Sequence, residues 1–213
     1  MFQDAGGIRS ELRNLADAVA ATGLVVRMPN LFYRHGPFAP FDMRTVFSVP
    51  SERDRLMGLA RSVTTQTAMA DVRALLDDAD KTPGITAHVA GAFGYCLGGR
   101  VAFLAAGYFP QRIQAAASIH GGYLVTAAPD SPHQLTPQIK AKLYFAVADN
   151  DNTCTQANVS ELRQALDGAG VTYALDFFAN RAHGFAVPGT AAFDADASEQ
   201  HLRRLHQLFE TLA

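Results

Sequence analysis

The spacing of apolar residues in this chain changes several times, and each change marks an element. Ile8, Leu12, Leu15, Ala16 and Val19 recur every three or four residues, which places them on one face of a helix. Gly23 stops that pattern, and Leu24-Val25-Val26 follows as a short β-branched run predicted to be a strand. From Pro29-Asn30 to Pro50 no period survives, and this Phe-, Pro- and Gly-rich stretch predicts a long ordered loop of the kind that lines sites. Helical spacing returns over residues 51–61 and 64–79, where Met69, Val72, Leu76 and Ala79 share a face, and Pro83-Gly84 ends it. The apolar run at 86–93 then predicts a buried strand.

Beyond it the spacing predicts a helix over 97–107, strands at 115–119, 142–147 and 171–178, and helices near 158–166 and 198–212. Such alternation predicts a mostly parallel sheet with helices on both faces and a ligand site beyond the carboxyl ends of its strands. A length of 213 residues, 48% of them hydrophobic, suits one α/β domain spanning residues 1–213.

Charge and cysteine content narrow the partners. The net charge of −2 and the lack of a long basic run argue against nucleic acid and anionic membrane surfaces. No stretch reaches the length of a membrane span, and the first residues lack the pattern of a secretory signal. The expected partner is a small molecule. Two cysteines, Cys96 and Cys154, suit a reducing cytoplasm better than a disulfide scaffold.

The strongest chemical signal lies where the strand at 86–93 meets the helix at 97–107. Phe93-Gly94-Tyr95-Cys96-Leu97-Gly98-Gly99-Arg100 has the form of a nucleophile elbow with sulfur in place of a hydroxyl. In that turn a sharp strand-to-helix bend lifts the nucleophile to the carboxyl edge of the sheet, and small residues let the backbones pass. The helix N-terminus then favours negative charge on Cys96 and on a developing oxyanion. The competing reading, an inert core thiol, is outweighed by the glycines.

A thiolate nucleophile needs an imidazole partner, and that ring needs an acid to hold it. Chain order of nucleophile, acid, histidine points to Asp151, after the strand at 142–147, and to His183, after the strand at 171–178. Asp149 is a rival acid, and His120 in His120-Gly121-Gly122 is a rival histidine. Either acid would also suit a solvated Asx turn. No histidine pair has zinc-ligand spacing with the two cysteines, so no metal is expected.

With these residues in place the chain resembles the dienelactone hydrolase family, cysteine-dependent members of the α/β-hydrolase fold. The resemblance runs through Gly94-Tyr95-Cys96-Leu97-Gly98-Gly99, Leu31-Phe32-Tyr33-Arg34 and His183-Gly184-Phe185. It implies an α/β-hydrolase-like architecture and the triad Cys96, Asp151 and His183. Asp151 takes the family acid position when Ala148 replaces the usual glycine. Gln3-Asp4-Ala5-Gly6-Gly7 resembles the oxyanion loop, which implies that the Ala5 and Leu97 N–H groups hold the oxyanion. Asp4 stands there in place of a glutamate that modulates the cysteine, or serves simply as a helix-capping acid. Of two family arginines for a substrate carboxylate, Arg34 matches one and Val187 occupies the place of the other. Tyr33, Phe38 and Tyr123 are expected as aromatic walls, and Arg34 is equally read as a surface ion-pair residue.

The family carries strands ahead of its oxyanion loop, whereas here that loop begins almost at Met1. The expectation is a sheet short of its N-terminal strands. An uncovered edge invites pairing with another chain, with a homodimer as one outcome. The implied activity is hydrolysis of a small ester or enol-lactone through an acyl-Cys96 intermediate, with no cofactor. Two other readings remain: a ligand-binding homologue without turnover, and a redox thiol with Cys154 as the resolving partner.

Overall fold

The computed structural model describes residues 1–85 and 88–212. Its strands are β1 (Ala90–Tyr95), β2 (Ile113–Ile119), β3 (Lys142–Asn150) and β4 (Tyr173–Ala182), and its α-helices are α1 (Ser10–Ala20), α2 (Pro50–Ser62), α3 (Thr65–Ala79), α4 (Leu97–Tyr108), α5 (Gln156–Gly168) and α6 (Ala195–Phe209). The four strands form one sheet in the order β1-β2-β3-β4, and all three pairings are parallel. This is the parallel sheet expected from the alternation of periods, and it fits the α/β-hydrolase-like architecture that the family resemblance implies. Thr86 and Ala87, predicted to start the strand before the elbow, lie outside the described residues.

The two faces of the sheet bury different helices. Ala92, Ala116, Leu143, Phe145 and Val147 pack with residues of α3, α4 and α5. Their chain neighbours Phe93, Ala115, Ala117, Tyr144 and Ala146 point the other way and pack with residues of α1 and α6. Successive strand residues face opposite sides, so a sheet covered on both faces needs continuous apolar runs. That is why these strands show no polar alternation. α3 and α5 each begin with a capping box, Thr64 with Thr67 and Thr155 with Asn158, which satisfies N–H groups left over in a first helical turn.

Residues 24–26 form no strand, contrary to the expectation from their β-branched side chains. The stretch Met1–Gln3 lies between them and β1. Met1 N donates to Arg27 O at 2.8 Å, while Phe2 N donates to Phe93 O at 2.7 Å and Tyr95 N donates to Phe2 O at 3.4 Å. Val25 is exposed, so its apolar side chain gains little from the sheet. Propensity without a ladder or a buried face does not make a strand. Residues 30–49 are irregular apart from short 3-10 turns at Tyr33–His35 and Val46–Ser48.

Candidate active site

Cys96 occupies the bend between β1 and α4 with φ 54 and ψ −116, a backbone region that costs a non-glycine residue on the order of 1–3 kcal/mol. The bend is held by Cys96 N donating to Ile119 O at 3.0 Å, and by the Gly99 and Arg100 N–H groups donating back to Cys96 O at 3.0 and 3.2 Å. Gly94 and Gly98 make it passable. A Cβ on Gly94 would overlap the Gly98 carbonyl, and one on Gly98 would overlap the Phe2 carbonyl. The thiol therefore stands half-buried at the carboxyl edge of the sheet.

Asp151 follows β3 in a tight turn. Its Oδ1 accepts from Thr153 N at 2.8 Å and from Thr153 Oγ1 at 2.7 Å, and its Oδ2 lies 2.7 Å from His183 Nδ1. The carboxylate is 1% exposed and the imidazole 27% exposed. Burial alone would raise the Asp151 carboxyl, but the hydrogen bond and charge of His183, together with the two Thr153 bonds, hold it below the usual carboxylate range. The rival Asp149 lies elsewhere, accepting from Gln156 Nε2 at 3.4 Å and from Asn180 N at 3.3 Å.

His183 follows β4 at a turn completed by Gly184 with φ 92. Phe185 is fully buried, its ring centroid 4.6 Å from that of Phe178, and this anchors the loop. Burial opposes a charged imidazole, but interactions with Cys96 and with the Asp151 carboxylate together exceed it, and His183 is held well above its ordinary value. Asp151, His183 and Cys96 therefore gather at the carboxyl ends of β3, β4 and β1, on the lining of one cleft.

His120 ends beside them, its ring centroid 5.1 Å from that of His183 in an edge-to-face contact. It is buried, and among the described residues neither ring nitrogen has a hydrogen-bond partner. Burial, followed by the charge on His183, pushes it well below its ordinary value. A neutral ring without an acid cannot take the role assigned to His183.

Ala5 and Leu97 both line the cleft in front of Cys96, and among the described residues neither N–H donates to another group. They are free to meet an oxyanion. Asp4 also lines this cleft but caps no helix, because its carboxylate is paired with Arg9 through bonds of 2.6 and 2.7 Å and accepts from Gly6 N at 2.9 Å. Arg9 was not singled out from the sequence. Burial disfavours its charge, yet Asp4 first, then Glu11 and Cys96, hold it above its ordinary value. Thr153 was also missed, although its place two residues after Asp151 is an Asx-turn signature.

The structure does not bring every expected residue to the cleft. Arg34 is tied to Asp71 by bonds of 2.8 and 2.7 Å, with its guanidinium 4.4 Å from the Tyr33 ring centroid. Tyr33 in turn donates to Asp71 at 3.3 Å. Phe38 packs against Phe32 and Phe41. None of Arg34, Tyr33 and Phe38 lines the cleft, whereas Tyr123 does. Val187 is fully buried in the core against α1 and α6. Cys154 is buried and unpaired, and burial, reinforced by the Asp151 charge, pushes its thiol up to about 12. Such a thiol is a poor resolving partner. Among the described residues no group of three or more His, Cys, Asp or Glu side chains is arranged to hold a metal ion, and no helix is long and apolar enough to cross a membrane.

The profile of the dienelactone hydrolase family matches residues 1–213. The chain belongs to that family. It is 24% identical over 214 residues to the Synechocystis sp. "Putative carboxymethylenebutenolidase", covering 99% of this chain and 84% of the relative. It is 33% identical over 101 residues to the carboxymethylenebutenolidase of Pseudomonas sp., covering 47% of this chain and 40% of the relative. Among solved structures, the "Putative Dienelactone Hydrolase" from Klebsiella pneumoniae superposes with a TM-score of 0.82 at 22% identity, covering 98% of this chain and 84% of that one. This dienelactone hydrolase family member is thus a hydrolase acting on ester or lactone bonds, on an α/β-hydrolase scaffold.

Proposed function

We propose that the protein hydrolyses small-molecule carboxylic esters or enol-lactones through an acyl-Cys96 intermediate. The observation that carries this reading is the Asp151–His183 hydrogen bond on the same cleft lining as Cys96, which stands at a strained elbow. Asp151 accepts from His183 Nδ1 and leaves the other ring nitrogen for the sulfur. The raised His183 favours a thiolate–imidazolium pair, which is a nucleophile and an acid ready together.

The Cys96 thiolate adds to the substrate carbonyl carbon, and the carbonyl electron pair moves onto oxygen, where the Leu97 and Ala5 N–H groups receive it. Collapse of the adduct breaks the bond to the leaving oxygen, which takes the proton from His183. The neutral ring then removes a proton from water as the water oxygen attacks the thioester. The second collapse releases the carboxylic acid and the Cys96 thiolate, and restores the ion pair. Tyr123 supplies an aromatic wall. A thioester forms more readily from an activated ester or enol-lactone than from an amide, which disfavours peptide substrates.

The test uses Cys96→Ala and Cys96→Ser with p-nitrophenyl acetate and a dienelactone, plus intact-protein mass after exposure to an acyl donor. A loss of at least about 1,000-fold in the Ala variant and a mass adduct on the wild type are expected. Full activity in Cys96→Ala, or a wild type that neither turns over nor acylates, sinks the proposal.

A further inference from the structure

The cleft in front of Cys96 encloses about 740 Å³, within the range of pockets that bury ligands of drug size. An acetyl group or a five-membered lactone would leave most of it to water. Its wall away from the triad is apolar. Met43 and Phe47 come from the loop ahead of α2, and Met57, Ala60 and Val63 come from α2 and its end. This wall is continuous with Ala5, because Ala5, Val46 and Leu56 share one buried cluster on which Met43, Met57 and Ala60 pack. The oxyanion loop and the apolar wall are therefore one packed unit.

Two large side chains on the lining stay in water, Phe47 at 60% and Tyr123 at 51% exposure. Scattered exposed aromatics need no explanation, but two facing one reactive cleft mark a surface that a ligand covers. Tyr123 is also held at φ 55, by its N–H donating to Thr153 O at 2.8 Å. Met43 and Met57 are unbranched thioethers able to mould to an extended chain.

The charges on the lining are mostly answered from within. Asp4 is closed by Arg9, and Asp151 by His183. Asp130 accepts from Thr65 at 2.6 Å and lies in the field of Arg100, which shares the lining and forms no ion pair among the described residues. Arg61 is solvent-exposed, and Arg34 is committed to Asp71 outside the cleft.

Building on the assignment of Cys96 as nucleophile, we infer that the preferred substrate is a neutral ester carrying an extended apolar group, seated along Met43, Phe47, Met57 and Tyr123. Each methylene taken from water raises kcat/KM by up to about fourfold. Partial burial along one open wall gives less.

The test compares p-nitrophenyl esters from acetate to octanoate, and hexyl acetate with methyl acetate. A rise of at least about tenfold in either series supports the inference and shows whether the acyl or the alcohol part lies on the wall. Flat or falling profiles in both overturn it. A third arm sets p-nitrophenyl octanoate against the p-nitrophenyl monoester of the eight-carbon diacid. The neutral ester is expected to win by at least about fivefold, the cost of bringing an unpaired carboxylate to an apolar wall, and preference for the acid overturns the inference. Met57→Asp and the surface variant Phe47→Ser should each cut the octanoate-to-acetate ratio about threefold or more, and an unchanged ratio in both counts against it. Failure of the Cys96 reading would look different, as wild-type protein inactive on every ester or a Cys96→Ala variant still active.

Discussion

The loops after β2 and β4 each present a histidine followed by glycine, and the two rings lie 5.1 Å apart, yet their charges are driven in opposite directions. His183 is raised and His120 is lowered. Both are penalised by burial. The difference is the company: His183 has a buried carboxylate on one nitrogen and Cys96 among the groups that raise it, whereas among the described residues neither nitrogen of His120 has a hydrogen-bond partner. At an active site the same residue type becomes an acid or a neutral spacer according to whether opposite charge is buried with it. The charged ring of His183 also helps keep its neighbour neutral, so the two states are coupled.

The largest expected break in this comparison comes from removing each ring in turn. His183→Ala should lower kcat/KM for p-nitrophenyl acetate by about 1,000-fold or more. His120→Asn should lower it by no more than about tenfold, since Asn tolerates the φ of 37 at that position. Comparable losses in both variants would mean that the contrast has been drawn in the wrong place.

A smaller effect should follow from removing the acids. Asp151→Asn leaves His183 without its carboxylate and should cost roughly 100- to 1,000-fold in kcat, while the His183 titration followed by NMR moves down toward its ordinary value. Asp149→Asn, which alters contacts only with Gln156 and Asn180, should change kcat by less than about twofold. A His183 titration unmoved in Asp151→Asn would detach the raised imidazole from its acid.

The smallest effect is on stability. A histidine raised by folding contributes stability that is full below its ordinary value near 6.5 and fades as pH climbs through the raised folded value. The stability lost in His183→Gln should therefore be larger at about pH 6 than at about pH 10, measured as the difference in Tm from the wild type. A gap that widens with pH would reverse the sign assigned to the Cys96–His183–Asp151 line.

Much of this site was legible before the fold. The glycines around Cys96 could be read because a nucleophile elbow is a local object: strand, tight bend and helix lie within eight consecutive residues, and each glycine answers a clash within that bend or with the loop behind it. Asp151 and His183 could be read from chain order, since the carboxyl ends of parallel strands gather at one edge whatever the connections. Arg34 was misleading for the opposite reason. Its partner Asp71 is 37 residues away, and no local pattern announces that α3 will offer a carboxylate there. Residues 24–26 misled likewise, because strand propensity counts only beside a ladder. Arg9 was overlooked because its role is to close Asp4, and only the folded loop shows that carboxylate to be half of an ion pair.

The sequence by itself determined most of the order of helices and strands, the elbow at Cys96 and the two strand ends that carry Asp151 and His183. Those are short-range or topological properties, carried by periodicity and by residues whose backbone needs are local. Tertiary structure decided which carboxylate serves the imidazole, which of two neighbouring histidines is charged, where Arg34 spends its charge, and how large and apolar the cleft is. These depend on burial and on distances between residues far apart in the chain, and hydrogen bonds and charge interactions fall off too steeply for composition or spacing to settle them.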